Sequence, residues 1–147
     1  MTDLADFAGL VRRDHGLSVV STLRGDGTIQ SSVVNAGVLT HPLSGASVIA
    51  FTTRRRAAKL ANLRARPRAS LVVRAGWEWA AAEGPVELAG PADERPGISA
   101  EGLRLLLREV FEAAGGTHDD WPAYDAVMVE EGRAVVMLTP ERLYSNP

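Results

Sequence analysis

The chain has 147 residues, 46% of them hydrophobic, with no cysteine and a formal net charge of −2. That length supports one domain, taken as residues 1–147, which buries roughly two-thirds of its unfolded surface without staples. The missing cysteines exclude disulfides, thiolate metal sites and cysteine nucleophiles, no apolar run reaches the ~20 residues of a bilayer span, and the charge gives no general attraction to nucleic acid or anionic lipid.

The first stretch, Asp3 to Asp14, is acidic and amphipathic, not a signal peptide, so a cytoplasmic location is expected. Leu4, Phe7, Ala8, Leu10 and Val11 recur at helical spacing behind Thr2 or Asp3 as N-cap, which predicts the first helix. Leu17 to Leu23 is rich in Val and Thr, Arg24-Gly25-Asp26-Gly27 supplies a turn, and Ile29 to Leu39 resumes an extended pattern; together they predict a hairpin. His41-Pro42-Leu43-Ser44-Gly45 makes the next turn, Ser47 to Thr53 a third strand, and Ala57 to Ala65 a helix closed by Pro67.

Ala69 to Ala75 and Trp77 to Leu88 follow as strands around Gly76, then Gly90 to Gly97 reads as a loop. Ser99 to Ala113 is a capped amphipathic helix with Leu103, Leu106, Leu107, Val110 and Phe111 inward, ended by Gly115-Gly116. Tyr124 to Val129 is a short helical piece, the acidic Glu130-Glu131 a turn, and Ala134 to Leu138 a closing strand. Six strands broken by helices at irregular places predict an α+β, mainly β protein, a small antiparallel barrel with peripheral helices and not a βαβ series.

Residues 54–68 carry seven positive charges and no acid, and the only lysine of the chain, Lys59, lies among them. Arginine serves as the cation everywhere else, so a lysine here suits a site that wants a compact ammonium. Arg56, Lys59, Asn62 and Arg66 fall at i, i+3, i+6 and i+10, which stacks the first three along one stripe near a helix start, where free N–H groups add positive potential. Two readings stand: a solvated basic face, or a grip on a phosphodiester or polycarboxylate. Nucleic acid is disfavoured, because no aromatic residues interleave with the charges.

Trp77 and Trp79, two apart, would share one face of a strand, as in a dry core or an interface. His15, His41 and His118 have no metal-ligand spacing, so no metal site is expected. Gly-x-Ser-x-Gly is absent, and neither Ser31 nor Ser32 belongs to a recognisable hydrolytic constellation. Glu83 alone on a strand reads as structural more readily than as a general base. The loop from Asp93 to Gly97 and the segment from Gly115 to Tyr124 are candidates for the rim of a substrate pocket.

Ser21 to Gly27 before a strand with Gln30 and Ser32, then Phe51 to Leu63 and Arg66-Pro67-Arg68-Ala69, Gly76 to Gly84 and His118 to Tyr144, resemble the pyridoxamine 5'-phosphate oxidase-like, FMN-binding split β-barrel family. More narrowly, they resemble its actinobacterial branch that uses the deazaflavin coenzyme F-420. The resemblance covers nearly the whole chain. It implies a six-stranded split barrel and a homodimer whose two cofactor clefts lie between protomers. It also implies that Arg55, Arg56, Lys59 and Asn62 grip the cofactor's phosphate and acidic tail, and that Gln30, Ser32, Val34, Asn35, Thr52 and Thr53 lie near the ring system. Trp77 and Trp79 would form the partner's aromatic wall. The implied activity is hydride transfer from reduced F-420 to an electron-poor acceptor such as an enone, quinone or tetrapyrrole, with solvent, Tyr144, His41 or no group supplying a proton. The same fold leaves an FMN-binding oxidase or reductase, and a non-catalytic F-420, flavin or haem carrier, as alternatives.

Overall fold

Twelve elements follow one another in the computed structural model, which describes residues 2–146. Their order is α1 (Leu4–Val11), β1 (Leu17–Leu23), β2 (Ile29–Asn35), β3 (Gly37–Thr40), β4 (Ser47–Thr53), α2 (Ala58–Ala65), β5 (Arg68–Ala75), β6 (Glu78–Ala89), α3 (Ala100–Ala113), α4 (Trp121–Glu130), β7 (Ala134–Leu138) and β8 (Arg142–Ser145). The α+β class is as expected, but among the described residues the strands number eight instead of six.

Both extra strands have identifiable origins. The expected strand from Ile29 to Leu39 breaks at Ala36, whose N–H donates to the Gly16 carbonyl at 2.9 Å. Gly16 is left-handed at φ +66°, and a Cβ there would lie 2.0 Å from the Ala36 carbonyl oxygen, so only glycine permits this approach. The bend divides the run into β2 and β3. The second extra strand, β8, is a short polar edge that pairs with Ala80–Glu83 of β6 and carries no hydrophobic alternation to announce it.

All pairings are antiparallel, in the order β2-β1-β5-β6-β7-β4-β3, with β8 added to β6. Since β2 and β3 end this path yet are joined through Ala36 alone, the sheet must curl back on itself. The long β6 makes the curl continuous: Glu78–Pro85 pairs with β5 and Val86–Ala89 pairs with β7.

Burial follows from that curl. Phe7, Leu10 and Val11 of α1 join Val20, Ile49, Phe51, Leu71, Val73, Val136 and Leu138 in one core. Leu106, Leu107 and Val110 of α3, with Tyr124 and Met128 of α4, cover Val48, Ala50, Val135 and Met137 in a second. Strands β4 and β7 are thus covered on both faces, which is why Val48 to Phe51 and Ala134 to Leu138 read as unbroken apolar runs. The Ser99 hydroxyl accepts from Gly102 N–H and starts α3 where the sequence places it.

Candidate functional site

At the end of β4 the chain passes through Arg54–Ala57 into α2, and among the described residues no side chain caps that helix. Leu60 N–H in its first turn donates to the Ala57 carbonyl at 3.1 Å, and the helix start adds positive potential to this end. A cavity of about 840 Å³ opens beside it, lined by Thr52, Thr53, Arg54, Ala57 and Lys59, by Val33 to Asn35 at the end of β2, and by His15. Val110, Phe111, the segment from Ala114 to Thr117, Tyr124, Met128 and Arg133 close the other side.

The lining holds three permanent cations, Arg54, Lys59 and Arg133, and no carboxylate. Glu131 stands behind them, engaging Arg54 Nε at 2.7 Å and Arg133 Nη2 at 3.4 Å. Arg133 Nη1 donates to Thr52 Oγ1 at 3.2 Å. Burial, with the Arg133 charge second, holds the Lys59 ammonium below its ordinary range. Thr53 Oγ1 and Arg133 Nε are buried without a hydrogen-bond partner. Donors left this way cost about 1–3 kcal/mol each, which an incoming oxyanion would recover. The donor set therefore fits a phosphate: an ammonium, guanidinium N–H groups, a hydroxyl and a helix start around an acid-free hollow.

Of the residues singled out from the sequence, Val34, Asn35, Thr52, Thr53 and Lys59 come together here. Asn35 also anchors the mouth, its Nδ2 donating to the His15 carbonyl at 2.8 Å. Gln30 and Asn62 meet elsewhere, around buried Thr22: Asn62 Nδ2 donates to Thr22 Oγ1 at 3.1 Å, and that hydroxyl donates to Gln30 Oε1 at 3.2 Å. They clamp α2 to the β1–β2 hairpin. Ser32 is half-buried outside the cavity lining, with its hydroxyl unpartnered.

The basic run is divided among several tasks. Arg55 lies over Gly132, donates to the Glu130 carbonyl and lines a different cavity. Arg56 is exposed. Arg64 forms a fork on Asp93 at 2.8 and 2.7 Å, Arg66 Nε donates to the Leu23 carbonyl at 2.9 Å, and Arg68 pairs with Glu141. Most of these arginines fix loops, and the cations the run delivers to the hollow are exposed Arg54 and half-buried Lys59.

Trp77 is not part of a strand. Ala75 pairs with Glu78, so Gly76 (φ +62°) and Trp77 form the two-residue loop between β5 and β6, and Trp77 is 94% exposed. Trp79 is half-buried, edge-on to Tyr144 at 6.2 Å. Neither lines the cavity of its own protomer; the expectation assigns both to a partner's cleft.

Two proposed proton sources are placed away from the hollow. Buried His41 accepts from Leu43 and Ser44 N–H at Nδ1, both at 3.1 Å, and its Nε2 meets Glu87 at 2.8 Å. With Nδ1 occupied, the ring fixes a turn. Tyr144 donates to Glu83 on the outer sheet face, and that carboxylate raises the tyrosine's pKa. Glu83 is accordingly a strand contact, as expected.

Arg133 was not singled out because nothing near it in sequence marks it; 74 positions after Lys59, it arrives through the antiparallel pairing of β7 with β4. Phe111, read from the sequence only as an inward residue of its helix, also walls the cavity, beside Tyr124 at the end of the segment expected to form a rim. Their rings lie 5.1 Å apart, tilted by 48°, in a cluster with Trp121 and His118. Tyr124 donates to the Leu107 carbonyl at 2.9 Å, and burial pushes its pKa up to about 12. The Gly115–Tyr124 segment does rim this cavity, whereas Glu94 to Gly97 line the other one. Among the described residues no cluster of three or more His, Asp or Glu side chains is placed to hold a metal.

No family model matches the chain. Solved structures do resemble it. A conserved hypothetical protein from Mycobacterium tuberculosis is 21% identical with a TM-score of 0.70, the match covering 99% of this chain and 84% of that one. An F-420 reductase is 18% identical with a TM-score of 0.61, over 92% and 94% of the two chains. A pyridoxamine 5'-phosphate oxidase-related, FMN-binding protein from Nostoc punctiforme is 14% identical with a TM-score of 0.65, over 96% and 81%. At such identities the likeness establishes the fold, an antiparallel α+β architecture shared with pyridoxamine-phosphate-oxidase-like proteins.

Proposed function

We propose that the chain is an oxidoreductase that binds coenzyme F-420 in the Lys59 cavity and passes hydride to an electron-poor small molecule such as an enone, quinone or tetrapyrrole. The observation that carries this reading is the acid-free hollow in which Lys59 and Arg133 stand together beside an uncapped helix start. Lys59, Arg133 and Thr53 would hold the phosphodiester, and exposed Arg56 would meet the acidic tail at the mouth. Val34, Phe111, Tyr124 and Met128 offer an apolar wall for a flat ring system and keep water from it. The bound coenzyme, when reduced, supplies the hydride. His15, at the rim, replaces His41 and Tyr144 as the side chain nearest to a proton-donating role, with solvent as the other source.

The site would be completed by a second copy of the chain. Val33, Val19, Val72, Ala81 and Tyr144 are register neighbours across five strands, forming one row on the outer sheet face in which Ala81 is buried. Leu17, Leu23, Ile29 and Trp79 extend it, and Val33 and Ile29 are 65% and 64% exposed. An apolar face of this kind supports a homodimer that brings Trp79 and Trp77 to a neighbour.

FMN is the second reading, because the same phosphate grip would hold it. The surplus of cations around the hollow favours the longer, more acidic F-420. The test is anaerobic: protein with reduced F-420 receives menadione or an enone, and recovery of the oxidised coenzyme's fluorescence is timed. An oxidoreductase accelerates it, whereas a carrier leaves the rate of free coenzyme unchanged.

A further inference from the structure

The larger cavity lies on the other side of Arg133 and Met128 from the Lys59 hollow, at about 1080 Å³. Much of its wall is aliphatic, from Ala89, Pro91, Ile98, Leu103, Leu107 and Met128; Glu94 and the arginine-paired Asp125 are the acids in the lining, which includes no aromatic side chain. Arginines stand at this wall in unequal states of compensation. Arg104 is held by Glu101 and Asp125, and Arg55 by the Glu130 carbonyl.

Arg95 and Arg133 are not held in that way. The carboxylate nearest Arg95 is Glu87 at 3.9 Å, and Glu87 is already engaged by His41 at 2.8 Å. Arg133 reaches Glu131 at 3.4 Å, and Glu131 is already engaged by Arg54 at 2.7 Å. Each therefore leans on an acid that has a closer partner. Both also carry a buried Nε with no acceptor. A guanidinium with a buried, unpartnered Nε calls for an anion, and an aliphatic wall calls for a saturated chain.

We propose that this cavity is a second ligand site, which takes an aliphatic monocarboxylate with its head at Arg95 and its chain along Ile98, Leu103 and Met128. Arg95 is the anchor because it lines only this cavity, while Arg133 also serves the Lys59 hollow. Flat aromatic acids fit less well, since no ring is present for them to stack on. The site is independent of the coenzyme reading, because it uses neither Lys59 nor the start of α2.

The test is calorimetric titration of the full chain with decanoate, decanol and decyltrimethylammonium, each below its micellar concentration. Saturable decanoate binding at one per chain, at least tenfold tighter than the other two, is expected. Arg95→Gln should weaken decanoate at least tenfold and leave decanol unchanged, and Lys59→Ala should leave decanoate unchanged. Equal affinity for decanoate and decanol overturns the proposal without any variant, as does the absence of saturable decanoate binding. Decanoate binding insensitive to Arg95→Gln, or abolished by Lys59→Ala, overturns it as well.

Discussion

Arg133 Nη1 donates to Thr52 Oγ1 at 3.2 Å, and that contact fixes a second cation in the cavity that Lys59 enters from α2. With Arg54 also in the lining, positive groups converge there with no acid among them, which costs stability that a bound anion would offset. Stability and binding are therefore expected to respond in opposite directions when one cation is removed.

Lys59→Met tests that opposition. Burial and Arg133 lower the folded-state pKa of Lys59, so the unfolded chain binds more protons as pH approaches 10.5, and wild-type stability gains from rising pH in that window. The variant lacks this gain. At neutral pH it should melt about 1–3 °C above wild type while binding inorganic phosphate at least tenfold more weakly, read by scanning calorimetry and titration.

Val33→Lys places a charge at the most exposed point of the apolar row across the outer sheet. A wild type that sediments as a dimer and a variant that sediments as a folded monomer are expected, with coenzyme binding weakened in the variant. A monomeric wild type would remove the partner's tryptophans from the account.

Gly84→Ala should be among the most damaging single-methyl additions. The turn from β7 to β8 crosses β6 at this residue, and a Cβ would lie 1.9 Å from the Thr139 carbonyl oxygen. The hydrogen bonds from Thr139 N–H to Pro85 and from Glu141 N–H to Glu83 hold that crossing in place. A loss of about 3 kcal/mol or more in chemical denaturation is expected, since backbone on both sides leaves nothing to yield.

Asp125 ties α4 to α3 by accepting from Arg108 and Arg104. These contacts, Arg108 foremost, bring its pKa down to about 2. A carboxylate so depressed stabilises the fold above its unfolded pKa and loses that contribution as pH falls from about 4 towards 2. Asp125→Asn should therefore be less stable than wild type at pH 6, and the difference should shrink in acid melts.

The sequence discloses what local chemistry decides. The α3 cap at Ser99, the turn at Arg24–Gly27 and the doubly buried runs of β4 and β7 are each written in contiguous residues. Lys59 is likewise legible as an exception to the arginine habit of the chain. The break at Ala36 is not, because it depends on a carbonyl meeting Gly16 twenty positions earlier. Nor does the charge run show that Arg64, Arg66 and Arg68 are occupied by Asp93, a backbone carbonyl and Glu141. Asn62 matches the helical stripe yet faces Thr22, since the hairpin packs where the stripe alone implied a ligand. Trp77 reads as strand until the register makes Gly76-Trp77 the loop.

Parallel fluorescence titrations with F-420 and FMN test most directly the proposal that the Lys59 cavity recognises a deazaflavin phosphodiester. Wild type should bind F-420 in the micromolar range and FMN much more weakly, and Lys59→Ala should lose about 1–3 kcal/mol of F-420 affinity. F-420 affinity unchanged by Lys59→Ala, or no binding of either compound, would contradict the account; a preference for FMN would move the site to flavin chemistry.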